Sequence, residues 1–201
     1  MTTMTLEKPV DFPRSKRLKA ATNTTHDRLD KSIMAGEPFA SQERYGLFVK
    51  VQHAFHRDID ALYDDPSLDA LLPDLAGRRR FPQIGQDLND LGIAVPVYDG
   101  DPAFPPASFP DLPTALGWLY VAEGSNLGAA FLLKEAVRLG LSETFGARHL
   151  AGATEGRGLH WRTFTAALDS IDLTEEEEAR VISGAERAFR RVYWLVKETF
   201  G

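Results

Sequence analysis

The chain has no cysteine, so disulfides, thiolate metal sites, cysteine nucleophiles and iron–sulfur clusters are excluded. Any metal must be held by histidine, carboxylate or a cofactor. Apolar runs of 18 or more residues are also missing, which argues against a membrane-spanning helix. The N-terminal "MTTMTLEKPVDFPRSKR" lacks an apolar signal core, and a cytoplasmic protein is expected. There is no excess of positive charge. Lys and Arg number 23 against 29 Asp and Glu, a formal net charge of −6, which speaks against general nucleic-acid binding. The local basic spot "GRRRF" at 77–81 reads as a solvated helix end. Strand alternation is nearly absent, and 201 residues suffice for one well-buried core. We therefore expect an all-α, single-domain helical bundle over 1–201, with 1–12 flexible.

Helical periodicity is what the chain does have. A first helix is expected from about 13 to 35, with Leu18, Thr22, Thr25, Leu29 and Ile33 on one stripe and His26 among them. After the break "EPFAS", Ser41 can cap a second helix carrying Tyr45, Phe48, Gln52, Phe55, Ile59 and Leu62, with His56 one turn beyond Gln52. Two shorter helices are expected near 67–76 and 82–91. Residues 92–113 hold six of the twelve prolines and read as an extended connection packed over the surface through Val95, Val97, Tyr98, Phe104 and Phe109. "GLHWRTFTAALDSI" is helical, and "TEEE" at 174–177 forms the capping box of a last helix reaching about 200.

Between them, "GWLYVAEGSNLGAAFLLKEA" at 117–136 reads as one helix apart from "GSNLG" in its middle. Glycine costs about 1 kcal/mol against alanine in a helix interior. Gly124 and Gly128 lie four apart on one face, so they leave a side-chain-free groove where backbone can touch another body, either a helix or a ligand.

Five histidines are available for chemistry: His26, His53, His56, His149 and His160. No cluster of carboxylates and histidines surrounds His26 in the sequence, so a bare zinc or di-iron site is poorly supported. A cofactor that brings four of its own ligands needs only one imidazole. Haem is such a cofactor, asking for an axial nitrogen and a dry, flat slot. The glycine-bearing helix can form the opposite wall with backbone alone, leaving space for a diatomic gas. Lys19, two turns or about 10 Å before His26, and Tyr120, one turn before Gly124, suit the two propionates.

The segments "TTHDRLD", "VQHAFHRD", "GWLYVAEGSNLGAAFLLKEA", "FGARHLAG" and "GLHWRTF" resemble the bacterial haem oxygenases, particularly the iron-acquisition type of Gram-negative bacteria. The similarity runs over nearly the whole chain. It implies a haem oxygenase-like bundle with a glycine-kinked distal helix, His26 as proximal iron ligand, and Lys19 and Tyr120 as propionate contacts. It further implies that Gly124, Ser125 and Gly128 form the distal wall, and that Gln52 and His56 support a distal water network. No aspartate follows Gly128 on that helix, where mammalian relatives use one. The "HWR" segment, 160–162, is the alternative source of polar groups. Glu135 stands where a subgroup cleaving haem at unusual positions has lysine, and is expected to repel a propionate.

The implied reaction is opening of haem, both substrate and cofactor, to biliverdin, mainly the α isomer, with release of CO and Fe²⁺. It consumes O₂ and electrons from an external donor, a ferredoxin or reductase, because no G-x-G-x-x-G follows a strand here. A monomer is expected, with no nucleic-acid or membrane partner. Two rivals are a non-catalytic haem carrier of the same fold and a non-haem bundle hydrolysing a small heterocycle, though no inward carboxylate cluster stands out for the latter.

Overall fold

A computed structural model describes residues 12–201, and the flexibility expected of 1–12 falls almost wholly outside that range. The described chain forms seven α-helices joined by turns and short 3₁₀ segments: α1 Arg14–Ala35, α2 Gln42–Ile59, α3 Pro66–Asp69, α4 Phe81–Asp90, α5 Leu112–Arg138, α6 Arg157–Ser170 and α7 Glu175–Phe200. No β-strand occurs among the described residues.

Three of the long helices, α2, α5 and α7, begin where the sequence supplies an acceptor for free N–H groups. Ser41 accepts from the Arg44 amide, and Asp111 accepts from the Thr114 amide ahead of Pro113. Thr174 and Glu177 make the expected reciprocal capping box, and four glutamates occupy the positive end of α7. α1 has no side-chain cap and is fixed by a buried cation instead. The Arg14 guanidinium bonds Glu178 at 2.7 Å, the Ile171 carbonyl at 2.7 Å and the Leu168 carbonyl. The start of α1 is thereby tied to the α6–α7 corner.

α5 and α7 form the closest helix pair, because glycines face backbone at their crossing. A Cβ added at Gly117 would collide with the Val181 carbonyl and stand 2.6 Å from the Ala185 nitrogen. One at Gly184 would collide with the Thr114 carbonyl. Around this crossing lie Leu18, Leu116, Leu119, Phe164, Val181 and Ala185, all fully buried. A second cluster, built on Tyr45, Phe48, Val49, Ile84 and Leu88, joins α2 to α4 and meets α5 at Ala129 and Ala136.

Four expectations are corrected. The helix near 67–76 is a single turn, α3, capped by Asp65 and followed by irregular turns, since Pro73 cannot continue it and Asp74 takes a positive φ. The "GSNLG" stretch does not interrupt its helix, which runs through both glycines because the rest of its length is packed. In 92–113, Phe104 is buried and Tyr98 half-buried, but Val97 and Phe109 are fully exposed and Val95 half-exposed. Finally, "GRRRF" is no solvated helix end. Arg78 is 2% exposed and bonds buried Glu123 at 2.9 Å, while Arg79 binds Asp60 at 2.6 Å and Asp64 at 3.0 Å.

Candidate active site

A cleft of about 660 Å³ opens between α1, α2, the middle of α5 and the end of α7. Lys19, His26, Gln52, His56, Tyr120, Gly124, Ser125 and Gly128 all line it. The residues singled out in the sequence therefore come together, from three helices and more than 100 positions of chain. Leu29, Phe48, Phe55, Val121, Phe189 and Val192 make most of the remaining surface apolar.

The α1 wall is open. His26 is rotated off the buried stripe of Leu18, Thr22 and Leu29, and its side chain is 56% exposed. Its ring packs edge-on against Phe189 at 5.8 Å, and Nδ1 lies 3.3 Å from the Asp30 carboxylate. Lys19 is exposed one wall-length away on the same helix.

The α5 wall is bare at its two glycines. A Cβ at Gly128 would meet nothing within 4 Å, and one at Gly124 would touch only the Trp161 ring at 3.6 Å. The Ser125 hydroxyl turns back to the Ala122 carbonyl at 2.6 Å, so it is occupied within its own helix. Tyr120 is buried against Trp161, with ring centroids 5.5 Å apart, and burial raises its phenol above the ordinary value. From behind, Arg157 donates to the Asn126 carbonyl at 3.0 Å and to the Leu150 carbonyl, which braces the glycine segment against the start of α6.

The α2 wall is polar but uncharged at its centre. His56 is 5% exposed, and burial pushes its imidazole down to about 3, helped by His149, Arg80 and His53. It is therefore neutral at physiological pH. Gln52 stands half-buried one turn before it.

Of the "HWR" segment only Trp161 lines the cleft. His160 faces away, with Nδ1 2.8 Å from Glu155 and Nε2 3.6 Å from Glu123, and the Glu123 contact heads the causes that raise its imidazole. Glu135 is likewise not at the cleft. Its carboxylate binds Arg138 at 2.6 Å, so it cannot repel an occupant. Sequence reasoning gave no role to Arg80 and His149, which also line the cleft. Arg80 was hidden in a basic run, and its half-buried guanidinium donates to the His149 and Ala151 carbonyls at 3.1 and 3.0 Å. His149 stood in "FGARHLAG" with nothing in its local pattern to distinguish it.

Another hollow, of about 750 Å³, lies between the end of α2 and the proline-rich connection. Its acidic groups are already engaged, Asp60 and Asp64 by Arg79 and Asp65 as the cap of α3. No group of three or more metal-ligating side chains occurs among the described residues, and no helix there is long and apolar enough to cross a membrane.

Comparison with known proteins agrees with this geometry. The sequence model described as heme oxygenase matches residues 13–198. The chain is 46% identical over 187 residues to Heme oxygenase PigA of Pseudomonas aeruginosa, covering 93% of each. Its fold superposes with a TM-score of 0.87 on the NO- and CO-bound heme oxygenase from Neisseria meningitidis, at 43% identity, over 95% of this chain and 94% of that one. Heme oxygenase 2 from Chlamydomonas reinhardtii, solved without heme, shares the fold alone, at 16% identity and a TM-score of 0.75. The chain belongs to the heme oxygenase family.

Proposed function

We infer that this protein opens haem to biliverdin, with release of CO and Fe²⁺, and that residues 1–201 act as one haem oxygenase domain. The observation that carries the reading is the pairing, across one apolar cleft, of a single exposed imidazole with a helix on which Gly124 and Gly128 present no side chain. A flat apolar ring system with carboxylate tails fits these residues. The Asp30 carboxylate beside His26 Nδ1 favours the tautomer that leaves Nε2 for iron. Lys19 supplies a cation for one propionate, and the Tyr120 hydroxyl a hydrogen bond for the other. Gly124, Ser125 and Gly128 contribute smallness, keeping space beside the iron for O₂. When bound, haem supplies the redox-active iron and the ring carbon that is oxidised.

The protein's own work is to orient and to manage protons. Neutral His56 and Gln52 can hold ordered water at the cleft, because neither is consumed by a protein partner that would pull it away. The apolar surface of Leu29, Val121 and Phe189 excludes other water from the slot. Lys19 and Tyr120 fix the rotation of a ring system that is nearly symmetrical apart from its propionates. Glu135, paired with Arg138 outside the cleft, does not oppose them. The α isomer of biliverdin is therefore the expected main product. Electrons come from an external donor, a ferredoxin or a reductase, and the protein acts as a cytoplasmic monomer.

The test is to add hemin to the purified protein, then ascorbate or a ferredoxin system in air. The visible spectrum should change from the haem complex to biliverdin, and chromatography of the esterified pigment should give mainly the α isomer. A stable haem complex with no pigment would instead identify a carrier, and a mainly β or δ product would overturn the roles of Lys19 and Tyr120.

A further inference from the structure

Side-chain packing gives out along α5 where the helix reaches the cleft. From Ala115 to Glu123 every residue is buried, whereas from Gly124 to Gly128 only Asn126 is. The two glycines also weaken the segment's own preference for a helix. Something other than packed side chains must hold this turn where it is.

Arg157, the first residue of α6, reaches it from behind. Gly156 turns the chain into α6 with φ +92°, in the left-handed region that glycine enters without strain. The Arg157 side chain then crosses Gly152, where an added Cβ would lie 3.6 Å from Nε. One terminal nitrogen of the guanidinium donates to the Asn126 carbonyl at 3.0 Å and the other to the Leu150 carbonyl. In a helix the Asn126 carbonyl also closes a turn with the Ala130 amide, and its second lone pair serves the guanidinium. Among the described residues, this is the hydrogen bond that reaches 124–128 from another element. The far end of the brace is itself fixed. Asp87 of α4, completely buried, accepts from the Arg148 and His149 amides at 2.9 and 3.0 Å, and Arg80 bonds the carbonyls on either side of Leu150. Arg157 is half-buried and does not line the cleft.

We propose that Arg157 is a positioning residue for the cleft: its bond to the Asn126 carbonyl holds the bare turn between Gly124 and Gly128 in place and so keeps the space opposite His26 constant. Because the guanidinium sits behind the turn, movement of the turn into the cleft lengthens the bond, and a charge-assisted bond resists that. Arg157 acts through Asn126 and touches no substrate. The hold is a property of the protein alone, and only its consequence for turnover rests on the haem-opening reading.

Amide hydrogen exchange of the haem-free protein reads the hold residue by residue. In the wild type the Ala130 amide, which shares the Asn126 carbonyl, should exchange slowest among 128–132. In Arg157→Met, which keeps an unbranched stem without the donors, amides 128–132 should exchange about tenfold faster, the factor that losing a charge-assisted hydrogen bond gives. Those of α7 should stay unchanged. Arg157→Lys, which keeps the charge and can make one of the two bonds, should restore part of the protection. Loaded with haem, the Met variant should bind it as the wild type does but form biliverdin about tenfold more slowly, since small misplacements of a reacting geometry are costly. A wild-type Ala130 amide no better protected than its neighbours overturns the proposal, whether or not the variants fold. So does exchange at 128–132 that Arg157→Met leaves unchanged, or that rises equally in α7 through general loss of stability. Turnover at the wild-type rate, or a loss in haem affinity only, removes the positioning role. Failure of the wild type to open haem, with exchange as stated, counts against the function and not against the brace.

Discussion

Two pairs of glycines in the core helices have opposite uses. Gly117 of α5 and Gly184 of α7 mark the place where two helices touch backbone to backbone, and a methyl group at either would collide with a carbonyl. Two and three turns along the same α5, Gly124 and Gly128 face a ring edge and open space. One pair is a condition of packing. The other keeps protein out of a volume that haem and O₂ need. Glycine spacing predicts close approach in both cases, but only the neighbouring element decides whether the approaching body is a helix or a ligand.

The largest effect expected from that contrast is on stability. Gly184→Ala must push α7 away from α5 and should cost about 3 kcal/mol, the upper range for overpacking a core. That would lower Tm by about 6–12 °C for a domain of this size. Gly128→Ala, with nothing for its methyl to strike, should instead be neutral or stabilising by up to about 1 kcal/mol. Calorimetry of the two variants checks the pair. Equal Tm values would show that the α5–α7 crossing gives way easily and that the two classes of glycine do not differ.

The next effect is on turnover. Gly128→Leu should fold within about 1 kcal/mol of wild type, because its side chain enters the cleft and not the core. It should produce biliverdin at least tenfold more slowly, because it fills space opposite His26. Biliverdin formation at the wild-type rate would make the bare α5 wall a structural accident.

Much of the fold was legible in the sequence because caps and periodicity are local. Ser41 and the Thr174–Glu177 box each start a helix through groups three residues apart. The candidate cleft was legible for a different reason. His26 and the two α5 glycines break the pattern around them, and such departures mark sites. What stayed hidden was pairing between distant segments. Arg78 with Glu123, and Asp87 with His149, are separated by 45 and 62 residues, and each partner alone reads as an ordinary charge or a core histidine. The same blindness made "GRRRF" look solvated and gave Glu135 a role that its pairing with Arg138 removes.

The smallest effect concerns what lies behind Gly124. Trp161 covers it from α6, next to His160, whose imidazole is raised above 6.5 by Glu123 and Glu155. A raised folded value means that the stabilisation from charged His160 is complete below about pH 6.5 and lost as pH rises through the folded value. Hydrogen-exchange protection across 157–161, corrected for intrinsic rates, should therefore fall on going from pH 6 to pH 9 while that of α7 stays constant. Glu155→Gln should flatten the change. Protection independent of pH in the wild type would remove His160 as a latch on the glycine wall.

The central claim is that haem lies between His26 and the glycine segment of α5, and resonance Raman of the ferrous haem complex tests it most directly. The account predicts an iron–imidazole stretch in the wild type that disappears in His26→Ala, with the circular dichroism of the helices unchanged. A stretch that persists at the wild-type frequency in His26→Ala would contradict it.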